Sequence, residues 1–366
     1  MDYCDWSSDV CSSDLFQPRG AWTALVTPFD AYGVLDVGAF KRLVEFQRHE
    51  GVTGIVPCGT TGESPTLTWE EHDALVRTAV ALVEGELGVL AGTGSNNTAE
   101  AIRGTRDARD DGASAALLVD CYYNGPSSLE LRTEYYERVV AAVPDLPIVP
   151  YVIPGRTGCA LAATDLAILH LSHPARVPAV KQATGDLARM RLDRELGGEG
   201  LAILSGDDDL TLAMMTDPAI RASGVISVIS NLAPRAVSAL TAAAAAGDTA
   251  TASRLAEELA PLLGLVGCKI TARRRLPDGR EATVEDRFRN PLPIKTMMAG
   301  LGLLEGTCRA PLGRMTAPAV EKVRAAVRAV WARAPQHLAP LEAAFGVNVA
   351  ARLADDAAWA RLGRDA

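Results

Sequence analysis

Lysine is scarce in this chain: five (Lys41, Lys181, Lys269, Lys295 and Lys322) stand against 31 arginines in 366 residues. A lysine in an unusual setting therefore calls for a reason. Basic charge is short overall, since the formal net charge is −9, and an acidic chain lacks the electrostatic footprint of a nucleic-acid binder. No apolar run approaches the roughly 20 residues that a membrane helix needs. Neither nucleic acid nor a membrane is expected as a partner. The seven cysteines are scattered without a CxxC pair, which argues against a zinc ribbon and a disulfide-stapled scaffold. His170 and His173, in LHLSHP, read as the end of a helix ahead of Pro174 and not as metal ligands. No GxxxxGK[ST] loop occurs, and GTGSNN (92–97) lacks the third glycine of a dinucleotide fingerprint. The expectation is a cytoplasmic protein with no metal and no cofactor.

Apolar residues make up 48% and charged residues 22%, an ordinary globular composition. The first fifteen residues, MDYCDWSSDVCSSDL, have neither a basic start nor a continuous apolar core. They do not read as a secretory signal but as a disordered or non-native extension. Thereafter short runs rich in Val, Ile and Leu alternate with amphipathic stretches. The runs are AWTALV (21–26), GIVPC (54–58), LGVLA (87–91), AALLV (115–119), PIVPY (147–151), VPAVK (177–181), LAILS (201–205) and GVISVI (224–229). Several lack polar alternation, as parallel strands buried on both faces do. Helices are expected over 37–50, 68–84, 98–111 and 127–143, with Thr68 and Glu71 forming a capping box. Successive runs lie roughly 30 residues apart, the length of one βα unit, and eight of them point to a (βα)8 TIM barrel. The barrel is assigned to 16–247 and a C-terminal helical region to 248–366. A surface hairpin is expected near 269–287; its three successive arginines could bind an anion, but the favoured reading is a solvated face paired with Glu281, Glu285 and Asp286.

Chemistry in such barrels sits at the C-terminal strand ends. Lys181 closes the sixth apolar run, so its amine should be poorly solvated, lowered in pKa and nucleophilic. The competing reading is a structural lysine capping carbonyls or paired with Asp186. Lys295, in NPLPIK, has no strand before it and reads as structural. Tyr151 closes the preceding run and is placed to shuttle a proton. The turn Gly59-Thr60-Thr61-Gly62 offers hydroxyls and backbone N–H groups to a carboxylate or oxyanion. Arg156 can clamp a second carboxylate. Amine, proton relay, anion cradle and cationic clamp together suit Schiff-base chemistry on a small keto acid.

With these residues assembled, the chain resembles the dihydrodipicolinate synthase and N-acetylneuraminate lyase family of class I aldolases from about Gly20 to Met315. The motifs are GTTGESPTLT (59–68), YYNGPS (122–127), YVIPGRTG (151–158), VKQATGDL (180–187), LSGDD (204–208), GVISVISNLAP (224–234) and NPLPIK (290–295). The resemblance implies that Lys181 forms an imine with pyruvate, and that Tyr151, Thr61 and Tyr123 relay protons, Tyr123 from a neighbouring subunit. It places the pyruvate carboxylate at Thr60 and Thr61, an acceptor carboxylate at Arg156, and the Ile226 carbonyl facing the lysine amine. It implies condensation of pyruvate with L-aspartate 4-semialdehyde, giving 4-hydroxy-tetrahydrodipicolinate for lysine biosynthesis, in a homodimer or homotetramer without cofactor. His72, Asn96, Glu100 and Tyr122 fall where lysine-inhibited members hold the effector, with Trp69 beside them. Two alternatives stay open: a sibling pyruvate aldolase acting on a sugar acid or hydroxy-oxo acid, and a catalytically silent keto-acid binder. Val152 and Gln182 depart from the family's common Asn and Glu.

Overall fold

Eight parallel strands close into one barrel in sequential order, β8 returning to pair with β1. They are β1 (Gly20–Ala24), β2 (Gly54–Val56), β3 (Gly88–Gly92), β4 (Ala115–Val119), β5 (Ile148–Val152), β6 (Ala179–Gln182), β7 (Ala202–Ser205) and β8 (Gly224–Ser227). The computed structural model describes residue 16 and residues 18–364, so the reading of residues 1–15 lies outside the described residues. Each strand coincides with an expected apolar run to within two residues at either end. β5 is buried along its whole length and β4 at all but one position. Helices cover one face and barrel side chains the other, which is why alternation is missing from these runs. Each Val, Ile or Leu buried there contributes about 1.5–3 kcal/mol. Trp22 of β1 packs against β2 and β3, where a Cβ on Gly54 or Gly88 would come within 2.3 or 2.4 Å of its ring.

The expected helices form with their caps. Asp36 caps Val37–His49, Thr68 and Glu71 close a capping box on Trp69–Val83, and Asn97 caps Thr98–Asp110. The stretch 127–143 differs from a single α-helix. It opens with a Ser127–Glu130 capping box, widens to a π-helix over Leu131–Tyr136 and then tightens to Glu137–Ala142. The wide turn brings two consecutive tyrosines into the core. Tyr135 accepts from the Ser95 N–H at 3.2 Å, and Tyr136 donates to the Asp120 carboxyl at 2.6 Å.

Beyond β8, Pro234–Ala245 and Thr249–Leu263 meet at Gly247, with Asp248 capping the second helix. The arginine-rich stretch is an antiparallel hairpin of β9 (Cys268–Arg275) and β10 (Glu281–Phe288). Its cross-strand ion pairs are Lys269–Glu285 at 2.9 Å, Arg273–Glu281 at 3.4 Å and Arg274–Asp286 at 2.8 Å. The helix Leu292–Gly300 follows, buried at every position. It carries Lys295, whose Nζ donates to Glu63 Oε1 at 2.6 Å, to the Thr27 carbonyl at 2.9 Å and to the Thr307 carbonyl at 2.5 Å. This lysine ties the loop after β2 to the C-terminal helices. Among the described residues, no helix is long and apolar enough to cross a membrane.

Candidate active site

The register of β5 on β6 sets Tyr151 directly beside Lys181. Each stands one residue before its strand's end, not at the end as the apolar runs suggested, because Val152 and Gln182 are still paired. The Lys181 Nζ lies 4.0 Å from the centroid of the Tyr151 ring, and only 5% of the residue is exposed. Burial lowers its pKa to about 8, against the opposing pull of Asp208 and Asp207, and Arg156 lowers it further. About a tenth of such amines are neutral at pH 7, against fewer than one in a thousand for a solvated lysine. Burial pushes the Tyr151 phenol up to about 12, opposed by Arg156 and by a hydrogen bond with the Thr60 hydroxyl. That phenol stays protonated and can donate. Asp186, the alternative partner for Lys181, instead caps Leu187–Gly197 by accepting from the Ala188 and Arg189 N–H groups.

Three neighbours shape the lysine's surroundings. Gly206, just after β7, leaves room for the stem, since a Cβ there would approach Lys181 Cε to 3.0 Å and Ala183 Cβ to 2.8 Å. Asp208 joins the ends of β7 and β8, accepting from the Ser227 hydroxyl and from the N–H groups of Val228 at 2.9 Å and Ile229 at 3.3 Å. Burial raises its pKa. Burial and then Asp209 raise Asp207 to about 6. Gln182 is fully buried and donates to the Asp193 carboxylate, which Arg189 holds at 2.9 Å. A glutamate at 182 would set two carboxylates against each other, so the departure from the family's common residue fits its surroundings.

The turn after β2 is shaped by left-handed backbone at Cys58 (φ 56°) and Glu63 (φ 57°). It presents Thr60 toward Tyr151 and buries Thr61, whose hydroxyl accepts from Asn290 Nδ2 at 2.9 Å. The Asn290 carbonyl accepts from the Arg156 guanidinium at 2.7 Å. Asn290 therefore links the threonine turn to the arginine. Gly59, Thr60, Tyr122, Tyr151, Arg156 and Thr157 are among the residues around a cavity of about 210 Å³. Lys181 is not in its wall, but its amine rests on the Tyr151 ring, which is. A second cavity of about 610 Å³ shares Arg156 and extends over Asp207 to the hairpin.

Of the sequence-assigned residues, the structure gathers Lys181, Tyr151, Thr60, Thr61 and Arg156. Ile226 is buried on β8, and no hydrogen bond joins its carbonyl to the lysine amine among the described contacts. Tyr123 lies outside this chain's cavity, 88% exposed, with φ at 76°. Trp69, His72, Asn96, Glu100 and Tyr122 line an adjoining cavity of about 120 Å³ that shares Tyr122 with the first. There His72 Nε2 sits 2.5 Å from the Gly92 carbonyl, its Nδ1 is buried without a hydrogen-bond partner, 3.9 Å from Asp73 Oδ1, and burial lowers its pKa. Glu100 accepts from the Ser95 hydroxyl at 2.7 Å. Gly206, Asp208 and Asn290 were not singled out by sequence, although each lies in a quoted motif.

Residues 17–330 match the model of the dihydrodipicolinate synthetase family. The chain is 41% identical over 307 residues to the 4-hydroxy-tetrahydrodipicolinate synthase of Methanothrix thermoacetophila, covering 84% of this chain and 95% of that protein. The dihydrodipicolinate synthase of Acinetobacter baumannii, solved with pyruvate, superposes with a TM-score of 0.76 at 32% identity, covering 86% of this chain and 99% of that one. The DHDPS of Cyanidioschyzon merolae, solved with lysine bound, gives 0.75 at 32% identity, covering 85% and 98%.

Proposed function

The chain belongs to the dihydrodipicolinate synthetase family, and from that premise we propose how its residues perform the reaction. The protein is a lyase of the 4-hydroxy-tetrahydrodipicolinate synthase type, condensing pyruvate with L-aspartate 4-semialdehyde on the route to lysine. The neutral Lys181 amine attacks the pyruvate ketone, water leaves, and an imine forms. Loss of a methyl proton gives the enamine, whose carbon attacks the aldehyde while the new alkoxide takes a proton. The acceptor's own amine then displaces Lys181 by transimination and closes the ring.

The observation that carries this reading is the buried Lys181 amine set in register against Tyr151. Tyr151, hydrogen-bonded to Thr60, moves the proton with Thr61, and Tyr123 of the partner subunit completes the relay. Thr60 and Thr61 hold the pyruvate carboxylate, Arg156 holds that of the semialdehyde, and the Ile226 carbonyl orients the amine. At least two copies are then needed for activity, in the cytoplasm, with no metal or cofactor. A coupled assay offering pyruvate with either aspartate semialdehyde or sugar-acid aldehydes tests the acceptor. Turnover confined to the latter sinks the assignment.

A second reading concerns the smaller cavity. The clustering of Trp69, His72, Asn96, Glu100 and Tyr122 supports an L-lysine site. In this reading Glu100 holds the ammonium, Tyr122 and Asn96 take the carboxylate, and the Trp69 ring covers the stem.

A further inference from the structure

The hairpin brings to the mouth of the barrel two arginines that the reaction above does not use. Arg287 lies on β10 opposite Lys269, and Arg289 follows the strand directly. Both line the 610 Å³ cavity, as does Arg156 from the loop after β5. The other hairpin cations facing carboxylates are neutralised locally, with Lys269 on Glu285 and Arg274 on Asp286. Arg287 has no such partner among the described residues. Arg289 gives one N–H to the Gly155 carbonyl at 2.7 Å, and Arg156 gives one to the Asn290 carbonyl at 2.7 Å. A guanidinium has five N–H donors, so most of the donor capacity of these three side chains is unspent.

Like charges have been gathered here without protein anions to hold them. Arg289 and Arg287 both push the Arg156 pKa down, after burial as the main cause. Such repulsion costs stability, and a bound anion removes that cost. Asp207 and Asp209 stand in the same cavity but pair with none of the three arginines. The arginines come from separate chain positions around a space far larger than one inorganic ion needs. That arrangement suits an organic molecule with two separated carboxylates, each taken by a planar guanidinium.

We propose that the β9–β10 hairpin builds an anion subsite at the outer mouth of the barrel, in which Arg287 and Arg289, with Arg156, hold a small dicarboxylate. Its competition with the aldehyde substrate rests on the function proposed above, whereas the binding does not.

The test is calorimetric titration of the full chain, without pyruvate, using glutarate, butyrate and inorganic phosphate as probes. Glutarate is expected to bind at least about tenfold more tightly than either other probe, and Arg287→Gln/Arg289→Gln should weaken it about tenfold or more, a loss of one charge-assisted contact. Arg287→Gln alone, at an exposed position, is measured beside it, and thermal melting checks that both variants fold. Equal affinity for glutarate and butyrate, tighter binding of phosphate, or unchanged glutarate binding in the folded variants overturns the proposal. Borohydride trapping of pyruvate on the wild-type chain is read separately. Its failure counts against the catalytic reading and leaves the anion titration intact.

Discussion

Lys295 and Glu63 meet at 2.6 Å with their side chains 0% and 1% exposed, 232 residues apart in sequence. The chain thus buries two lysines in different settings. Both amines lie over an aromatic ring, Lys295 over Phe29 at 4.5 Å and Lys181 over Tyr151 at 4.0 Å, but Lys295 also donates to three oxygen acceptors, whereas Lys181 has no hydrogen bond to Nζ among the described contacts. Breaking a buried pair leaves one charge uncompensated, so Lys295→Met should destabilise the fold by about 3–5 kcal/mol. Adding Glu63→Gln should restore part of that loss. Denaturant unfolding of the three proteins measures this, and a cost below about 1 kcal/mol for Lys295→Met would show that the pair holds nothing together.

Pyruvate and borohydride should modify Lys181 alone. The trapping rate should climb nearly tenfold per pH unit up to about 8 and then level, because the neutral amine is the nucleophile. Peptide mapping that places the adduct on Lys295 refutes the assignment.

The same lysine makes a stability prediction with a definite sign. Its folded pKa, about 8, lies below the unfolded value near 10.5. Between those values the unfolded chain binds more protons, so wild-type stability rises with pH there. The penalty for protonated Lys181 is full below pH 8 and gone above pH 10.5, and amounts to about 3 kcal/mol at most. Lys181→Met should therefore melt above wild type at pH 7 and lose that advantage between pH 8 and 10.5. A pH-independent difference would count against the burial of a titrating amine.

In the proposed relay Asn290 is a positioning residue, acting through Thr61 at 2.9 Å. Asn290→Ala should slow solvent exchange of the pyruvate methyl hydrogens about fivefold, the worth of one hydrogen bond of ~1 kcal/mol. Imine formation should be affected less. Exchange at the wild-type rate in a folded variant removes Asn290 from the relay.

The barrel was legible because eight apolar runs recur at the βα interval, and the Tyr151–Lys181 pairing followed from both closing adjacent runs. What stayed hidden depends on distant chain. Asn290 reaches Thr61 across 229 residues, and no local pattern announces such a contact. Gly206 matters only because the Lys181 stem passes it. The π-turn over Leu131–Tyr136 was invisible because the segment keeps a helical composition while tertiary bonds to Ser95 and Asp120 decide its pitch.

Arg156→Ala should raise the KM for aspartate semialdehyde by about 10- to 100-fold and leave that for pyruvate nearly unchanged. The lost charge-assisted bond is worth about 1.5–3 kcal/mol. Equal effects on both substrates would assign Arg156 to holding Asn290 in place instead.

L-lysine should slow turnover at millimolar concentration, and Glu100→Ala should weaken that inhibition about tenfold by removing the ammonium's partner. The link to the chemistry runs through Tyr122, which lines both the small cavity and the substrate cavity and adjoins Tyr123. An effector that fixes Tyr122 thus biases the loop carrying the proposed relay tyrosine, giving two sites and one shared element. The Glu100–Ser95 bond at 2.7 Å must loosen or be shared when the ammonium arrives, so Ser95→Ala should tighten lysine binding modestly. Inhibition curves for the three proteins decide this. No response to lysine, or curves that superimpose, would make the cavity a packing feature of the loop and nothing more.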